Sequence, residues 1–440
     1  MTGLRAIATP VSPKSRGSPL PPSGTPMPHI AMVIPSLAGG GAERTALRVA
    51  GGLAARGHRV DIVLFQPHVA YPREVPAAAR LIVLSGRRAW AGRNPSALPA
   101  NTQWRPERAS LLQGAGLAAG LVRDFPAAAH MLLRRAALGR ALRLARYAAR
   151  ERPDILFANL PQAEHAAFYA ARLAGPCAFP PVVPVIHNVV TPDARHTQRR
   201  RLLFPSAAHV VAVSQGVAET VAGAAGVPEA RLSVIYNPAA APAAPRRAEE
   251  PADHPWFADG GPPVILGAGR LARQKDFTTL IEAFRRVVAE RPCRLLILGE
   301  GPMRAELEGR VRALGLEAHA ALPGWVENPY AYMARAALFV LSSRHEGLGN
   351  VLVEALACGC PAVSTDCPAG PAEILEDTRL LAPVGDPEAL AGVMLRALAH
   401  PAEKSRLRAK AMRFSVDRAL DEYETLIAAI FGEHGKDGQA

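Results

Sequence analysis

Two short stretches carry residue types that can do chemistry on a phosphorylated ligand. In Gly267-Ala-Gly-Arg-Leu-Ala-Arg-Gln-Lys275-Asp276 a glycine loop follows an apolar run, and Arg270 and Lys275 can project from it just before a helix. Gly269 lets the backbone approach a ligand closely. Two cations beside a helix N-terminus form a diphosphate clamp and can stabilise a departing phosphate. A solvated basic turn capped by Asp276 fits the same residues, so this stretch alone leaves both readings open. In Ser342-Ser-Arg-His-Glu346-Gly-Leu-Gly-Asn350-Val-Leu-Val-Glu354, Gly347 and Gly349 again permit close approach, and Asn350 is a candidate helix N-cap. Glu354 falls one turn inside an otherwise apolar helix, where a carboxylate is costly without partners. A pair of sugar hydroxyls is one such partner. A neighbouring surface cation is the other.

Two weaker signals accompany them. Gly370-Pro371 with Glu373 reads as a cap, a first helical residue and N3, which puts another helix N-terminus on the same surface. Leu298-Gly-Glu-Gly301-Pro302 is a glycine loop after a strand and is indistinguishable from a plain turn.

These loops need a scaffold of strands ending together, and the chain supplies one. Strands are predicted at 29–35, 59–65, 81–84, 155–158, 182–186, 210–213 and 233–236, with a helix at 42–56 after Gly39, Gly40 and Gly41. Seven prolines between Pro238 and Pro263 mark a break. A second alternating series has strands at 264–267, 295–298, 338–341 and 362–364, with a helix whose apolar face is Phe277, Leu280, Ile281, Phe284, Val287 and Val288. Alternation of this kind predicts an α/β protein of two doubly wound, Rossmann-like domains with an interdomain cleft. The expected boundaries are a disordered tail at 1–27, a first domain at 28–240, a linker at 241–262 and a second domain at 263–415.

The 440 residues carry 51 Lys and Arg against 38 Asp and Glu, a formal charge of +13 that suggests a polyanionic partner. Aromatic residues are only 5%, which argues against a single-strand stacking platform for nucleic acid. No apolar run reaches the ~18 residues of a membrane span; Leu111–Val122 is the longest and lies between arginines. The tail lacks the apolar region and cleavage site of a secretory signal. Five cysteines fit a reducing compartment. Cys358, Cys360 and Cys367 invite a metal reading, but nothing completes a zinc pattern, so packed core thiols are preferred.

In combination, the Gly-Arg…Lys clamp, the Gly-Glu-Gly-Pro loop, the Glu-x7-Glu from Glu346 to Glu354 and the following Gly-Pro-x-Glu resemble the retaining GT-B glycosyltransferases of family 4. Gly39-Gly-Gly-Ala-Glu-Arg44, Val213-Ser214 and Ile235-Tyr-Asn-Pro238 resemble that family's first loop and pre-linker segments. The resemblance spans 29 to about 425 and is strongest in 264–375. It implies metal-independent, cofactor-free transfer of a hexose or N-acetylhexosamine from a nucleotide diphosphate sugar, with UDP the expected nucleotide. On that pattern Arg270, Lys275 and Glu346 are catalytic. Gly269 and Gly301 would approach the donor, Glu354 would take the ribose hydroxyls, and the backbone of Gly347, Leu348, Gly349 and Asn350 would meet the sugar. Val326, beside Trp325, would pack on the base. Gly40 and Gly41 would close from the first domain, and a C-terminal helix at about 416–434 would cross back onto it. One departure stands out: many relatives have a histidine after the strand that here ends at Ala158, whereas this chain has Asn159, with Gln162, His165 and His187 as nearby candidates.

The stretch Arg134–Arg152 predicts a helix with Leu138, Leu142, Ala145 and Ala149 on one face and Arg140, Arg143, Arg146 and Arg150 opposite, with Arg199, Arg200 and Arg201 as a second cluster. A solvated surface helix is one reading. The other is docking on anionic lipid at the cytoplasmic membrane face, towards a lipid-linked, lipopolysaccharide or polysaccharide acceptor. Competing functions are a glycosyltransferase with a soluble acceptor, a catalytically silent GT-B-like binding protein, and a nucleic-acid binder motivated by charge alone.

Overall fold

A computed structural model describes residues 27–70, 72–85, 90–92, 126–175, 178–191, 195–258 and 260–437. All but the last residue of the predicted tail, and the whole Leu111–Val122 stretch, lie outside them. The first sheet contains β1 (His29–Ile34), β2 (Arg59–Leu64), β3 (Arg80–Val83), β4 (Trp90–Gly92), β5 (Ile155–Asn159), β6 (Val182–Ile186), β7 (Val210–Ala212) and β8 (Leu232–Val234). Its order is β4-β3-β2-β1-β5-β6-β7-β8, parallel except for β4. The second sheet contains β9 (Val264–Ala268), β10 (Arg294–Leu298), β11 (Ala320–Gly324), β12 (Leu338–Leu341), β13 (Ala362–Thr365) and β14 (Leu381–Ala382), ordered β11-β10-β9-β12-β13-β14. Both are doubly wound Rossmann-like sheets. Ile30 to Ile34 are buried on both faces, which is why β1 reads as an unbroken apolar run.

The three strands absent from the sequence reading, β4, β11 and β14, all lie at sheet edges. Edge strands are short, and β11 ends Leu322-Pro-Gly324, a pairing of residues that reads as a turn.

Fourteen helices are described: α1 (Gly41–Ala55), α2 (Pro126–Glu151), α3 (Pro161–Ala174), α4 (Arg195–Leu203), α5 (Gln215–Ala225), α6 (Ala244–Glu249), α7 (Phe277–Glu290), α8 (Arg304–Ala313), α9 (Pro329–Arg335), α10 (Asn350–Ala357), α11 (Pro371–Leu375), α12 (Pro387–Ala399), α13 (Lys404–Ala411) and α14 (Val416–Asp437). None of the described helices is long and apolar enough to cross a membrane. The proline-rich break is not bare linker: it carries α6, and Asn328 and Tyr332 bind its backbone at Arg247 and Asp253. At its start Ala240 N donates to Phe414 O at 3.1 Å, so the chain's two crossings between domains lie side by side. After the second crossing α14 packs on the first domain, where Arg56 pairs with Asp421 and Glu424 and Tyr423 stacks edge-on against Phe157.

The predicted facing of α2 is corrected. It packs through Ala141, Leu144, Tyr147 and Ala148, while Leu138 is 49% and Leu142 38% exposed. Arg140 and Arg143 are drawn partly inward, and Arg146 and Arg150 point outward. The facing is set by Tyr147, whose hydroxyl donates to the fully buried Asp61 at 2.7 Å.

Asp61 also accepts from His29 Nε2 at 2.9 Å and from Arg80 twice at 2.8 Å. Burial pushes its carboxyl up, but the hydrogen bonds from His29, Arg80 and Tyr147 outweigh that and hold it well below the usual carboxylate range. One carboxylate thus ties β1, β2, β3 and α2 at the end of the sheet away from the cleft. Asp61→Asn is expected to destabilise the protein by about 3–5 kcal/mol near neutral pH in chemical unfolding. Because the folded-state pKa is depressed, this stabilisation is present above the unfolded value of about 3.9 and is lost as pH falls below it, so the gap between variant and wild type should shrink in acid.

Candidate active site

The second sheet reverses direction of growth between β9 and β12, so the loops after these neighbouring strands diverge and leave a crevice. Lys275 closes a short 3-10 turn after β9, and Glu346 lies in the loop after β12. Lys275 Nζ reaches Glu346 Oε1 at 2.5 Å, and Ser343 Oγ donates to the same oxygen at 2.6 Å. Glu346 is only 6% exposed, so it depends on these partners. Ser342 Oγ to Lys275 O, Arg344 N to Gln274 O and Gln274 Nε2 to His345 O stitch the two loops together. Arg270 is exposed above them and interacts electrostatically with Glu43 of α1. Glu43 is pushed up by burial, against backbone N–H bonds from itself and Gly40 and the nearby Arg270.

The glycines divide into two kinds. Gly301 packs its Cα on the backbone of Leu271, where any side chain would collide, so it shapes the loop that carries Arg270. Gly269 lies beside the Lys275 side chain. Gly347 packs on the carbonyl of His187, and its own carbonyl accepts from Ser214 Oγ at 2.5 Å, so it is a contact between the domains. Leu348 is buried. Gly349, at φ +90°, caps α10, whereas Asn350 is the first helical residue and not the cap. The Asn350 side chain instead receives Asn237 Nδ2 at 2.9 Å and donates to Thr45 at 3.2 Å. Gly41 faces this amide and Gly40 caps α1. Val326 is partly buried against the core beside Trp325, which is 52% exposed.

From the first domain come Asn159, at the end of β5, and His187, just after β6. Asn159 Nδ2 is engaged by Met32 Sδ and Val33 O, so its Oδ1 accepts from His187 Nε2 at 2.9 Å. Burial, with a contribution from Arg200, lowers the His187 pKa to about 4, so the ring is neutral at pH 7. The hydrogen bond to Asn159 places the proton on Nε2, leaving Nδ1 as an acceptor with no partner among the described residues. His165 lies in the second turn of α3, away from that pair.

Glu354 has the cation partner that the sequence left open. Arg48 of α1 donates to it at 3.2 Å, and also binds Pro238 O and Tyr330 Oη. A second carboxylate spans the domains at the hinge: Glu373 accepts from Gln215 N at 2.8 Å, Gly216 N at 2.9 Å, Gly370 N at 3.2 Å and Tyr236 Oη at 3.0 Å. It caps the helix of one domain from the helix of the other. Arg48, Tyr330, Ser343 and the reach of Glu373 to α5 were not found from sequence. Ser343 had a signal in its spacing of three from Glu346; Arg48 had none, its partner being 306 residues away. Cys358, Cys360 and Cys367 are buried free thiols, pushed up by burial, and no metal-binding group of side chains occurs among the described residues.

Comparison with known proteins bears on the family and the fold. Residues 39–240 match the model described as Glycosyltransferase Family 4, and 262–400 match Glycosyl transferases group 1. The chain matches less than a third of the length of two of its curated relatives. LpsE, a lipopolysaccharide core biosynthesis glycosyltransferase of Rhizobium meliloti, is 29% identical over 66% of this chain and 79% of its own. A Campylobacter jejuni N-acetylgalactosamine-N,N'-diacetylbacillosaminyl-diphospho-undecaprenol 4-alpha-N-acetylgalactosaminyltransferase is 42% identical, over 26% of this chain and 30% of its own length. Anabaena HepE in complex with UDP has the same fold, with a TM-score of 0.65 at 20% identity over 91% of this chain and all of that one. The protein belongs to the group 1, family 4 glycosyltransferases and has the GT-B fold.

Two outcomes test the site's geometry. Lys275→Ala leaves Glu346 buried without its cation and should cost about 3 kcal/mol in chemical unfolding, with part regained in the Lys275→Ala/Glu346→Ala double variant. Glu373→Ala should broaden the interdomain distance distribution in small-angle scattering while both domains stay folded.

Proposed function

We propose that the protein is a retaining, metal-independent glycosyltransferase. It moves a hexose or N-acetylhexosamine from a nucleotide diphosphate sugar, with UDP as the nucleotide, to a lipid-linked, lipopolysaccharide or polysaccharide acceptor. The observation that carries this reading is the set of Arg270, Lys275 and Glu346 over the point where β9 and β12 diverge, with Glu354 on the next helix. Arg270 and Lys275 hold the diphosphate and take up the charge that develops as it leaves. Glu346 and the backbone of 347–350 orient the sugar. Glu354 exchanges its contact with Arg48 for the ribose hydroxyls, Val326 and Trp325 pack on the base, and His187, set by Asn159, meets the sugar from the first domain. The acceptor class follows the names of LpsE and of the Campylobacter enzyme, and UDP follows the HepE complex.

The reading extends to location at the cytoplasmic face of a membrane. Its support is the outward face of α2, where exposed Leu138 and Leu142 adjoin Arg146 and Arg150, as in helices that lie on anionic lipid.

A panel of nucleotide sugars scored by thermal shift and hydrolysis tests the donor half. One UDP-sugar should stabilise wild type but neither Lys275→Ala nor Glu354→Ala, and chelator should leave turnover unchanged. No shift from any donor in folded protein would favour a silent binding protein. The anomeric configuration of the product, read by NMR, tests retention. Vesicles with acidic lipid should retain the protein and neutral vesicles should not, and Leu138→Glu with Leu142→Glu should release it.

A further inference from the structure

The inward face of α2 presents a cluster that the donor site does not use. Arg140 and Arg143 of α2, His165 of α3, and His196, Arg199 and Arg200 of α4 gather on one side of the first domain. The rings of His165 and His196 lie 5.5 Å apart. Among the described residues the acid beside these side chains is Glu164, and Arg200 holds it with two bonds of 2.8 Å. The described cations near it therefore outnumber the acid. His165 is 6% exposed, yet its Nε2 has no hydrogen-bond partner among the described residues. The Nε–H groups of Arg140 and Arg143 are likewise buried without one. Burial first, and then the surrounding Arg199, His196, Arg200 and Arg140, lower the His165 pKa to about 3, so the ring is neutral at pH 7.

Unsatisfied buried donors are costly, and so are like charges held together. Both costs fall if an anion with several acceptor oxygens binds among these groups. The position suits such a ligand. His165 is in the second turn of α3, about 6 Å along the axis from the helix N-terminus that follows Asn159.

We propose that Arg140, Arg143, His165 and Arg199 form a binding site for a phosphate or diphosphate group, the anionic end of the acceptor. The site itself stands on these side chains. Naming the acceptor as the carrier rests on the transferase reading above. It is distinct from the outward leucine face of the same helix, which is directed at lipid.

The test is isothermal titration of inorganic pyrophosphate into Lys275→Ala protein, in which the donor clamp is disabled. One-to-one binding is expected, weakened about tenfold or more by Arg140→Gln or Arg143→Gln and unchanged by Arg146→Gln on the outward face. Arg140→Gln should also raise the thermal midpoint of ligand-free protein, a gain that a merely structural arginine would not give. Farnesyl diphosphate binding as tightly as pyrophosphate, with the same sensitivity, would identify a lipid diphosphate as the source. Pyrophosphate binding without farnesyl diphosphate binding would keep the site and assign it to a soluble phosphate ligand. No binding of pyrophosphate, or binding untouched by both substitutions, overturns the proposal, as does an Arg140-dependent retention on phosphatidylglycerol vesicles without pyrophosphate binding. Wild-type response to nucleotide sugars is measured separately, so failure of the donor reading and failure of this site are distinguishable.

Discussion

The Lys275–Glu346 ion pair is the contact on which the second domain's site depends. A carboxylate this buried needs a cation and a hydroxyl against it. Those partners reach it only because β9 and β12 are neighbours whose connections run to opposite sides of the sheet. The loops bearing the lysine and the glutamate are therefore held together by backbone and side-chain bonds before any ligand arrives. A site preorganised in this way loses little entropy when a phosphorylated ligand binds.

The same economy of charge governs how the domains meet. Glu354 and Glu373 each sit on a second-domain helix and bind groups of the first domain. They differ in kind. Glu373 satisfies the free N–H groups at the start of α5 close to the paired crossings at Ala240 and Phe414, so it belongs to the hinge. Glu354 is held by side chains alone, accepting from Arg48 at 3.2 Å and from the Tyr330 hydroxyl at 3.5 Å. Gly347 completes the set: without a side chain, its loop can lie directly on His187 and bring the first domain against the loop that carries Glu346.

Helix α2 shows where periodicity stops being a guide. Leucine and arginine positions separate cleanly along it, and the natural reading turns the leucines inward. The structure turns them out, because Tyr147 must reach the buried Asp61 and small Ala141 and Ala148 allow close packing on α3. A buried carboxylate with four donors outweighs two leucines left partly in water. The strands missed at the sheet edges have a related origin, since half-covered, short segments with proline or glycine carry little apolar signal.

What the sequence determined by itself is the pair of doubly wound domains and the positions of their central strands, and it singled out the stretches that carry Arg270, Lys275, Glu346 and Glu354. These are written in local apolar runs and in short spacings, which survive without knowledge of the fold. Only the tertiary structure decided that Glu354 meets Arg48, that Asn350 bridges to Thr45 and Asn237, that Asn159 sets the His187 ring, and that α2 shows its leucines to solvent. Each of those depends on groups far apart in the chain brought together by strand order and domain closure. Partners chosen by charge and hydrogen-bond satisfaction at such separations leave no periodic trace in the sequence.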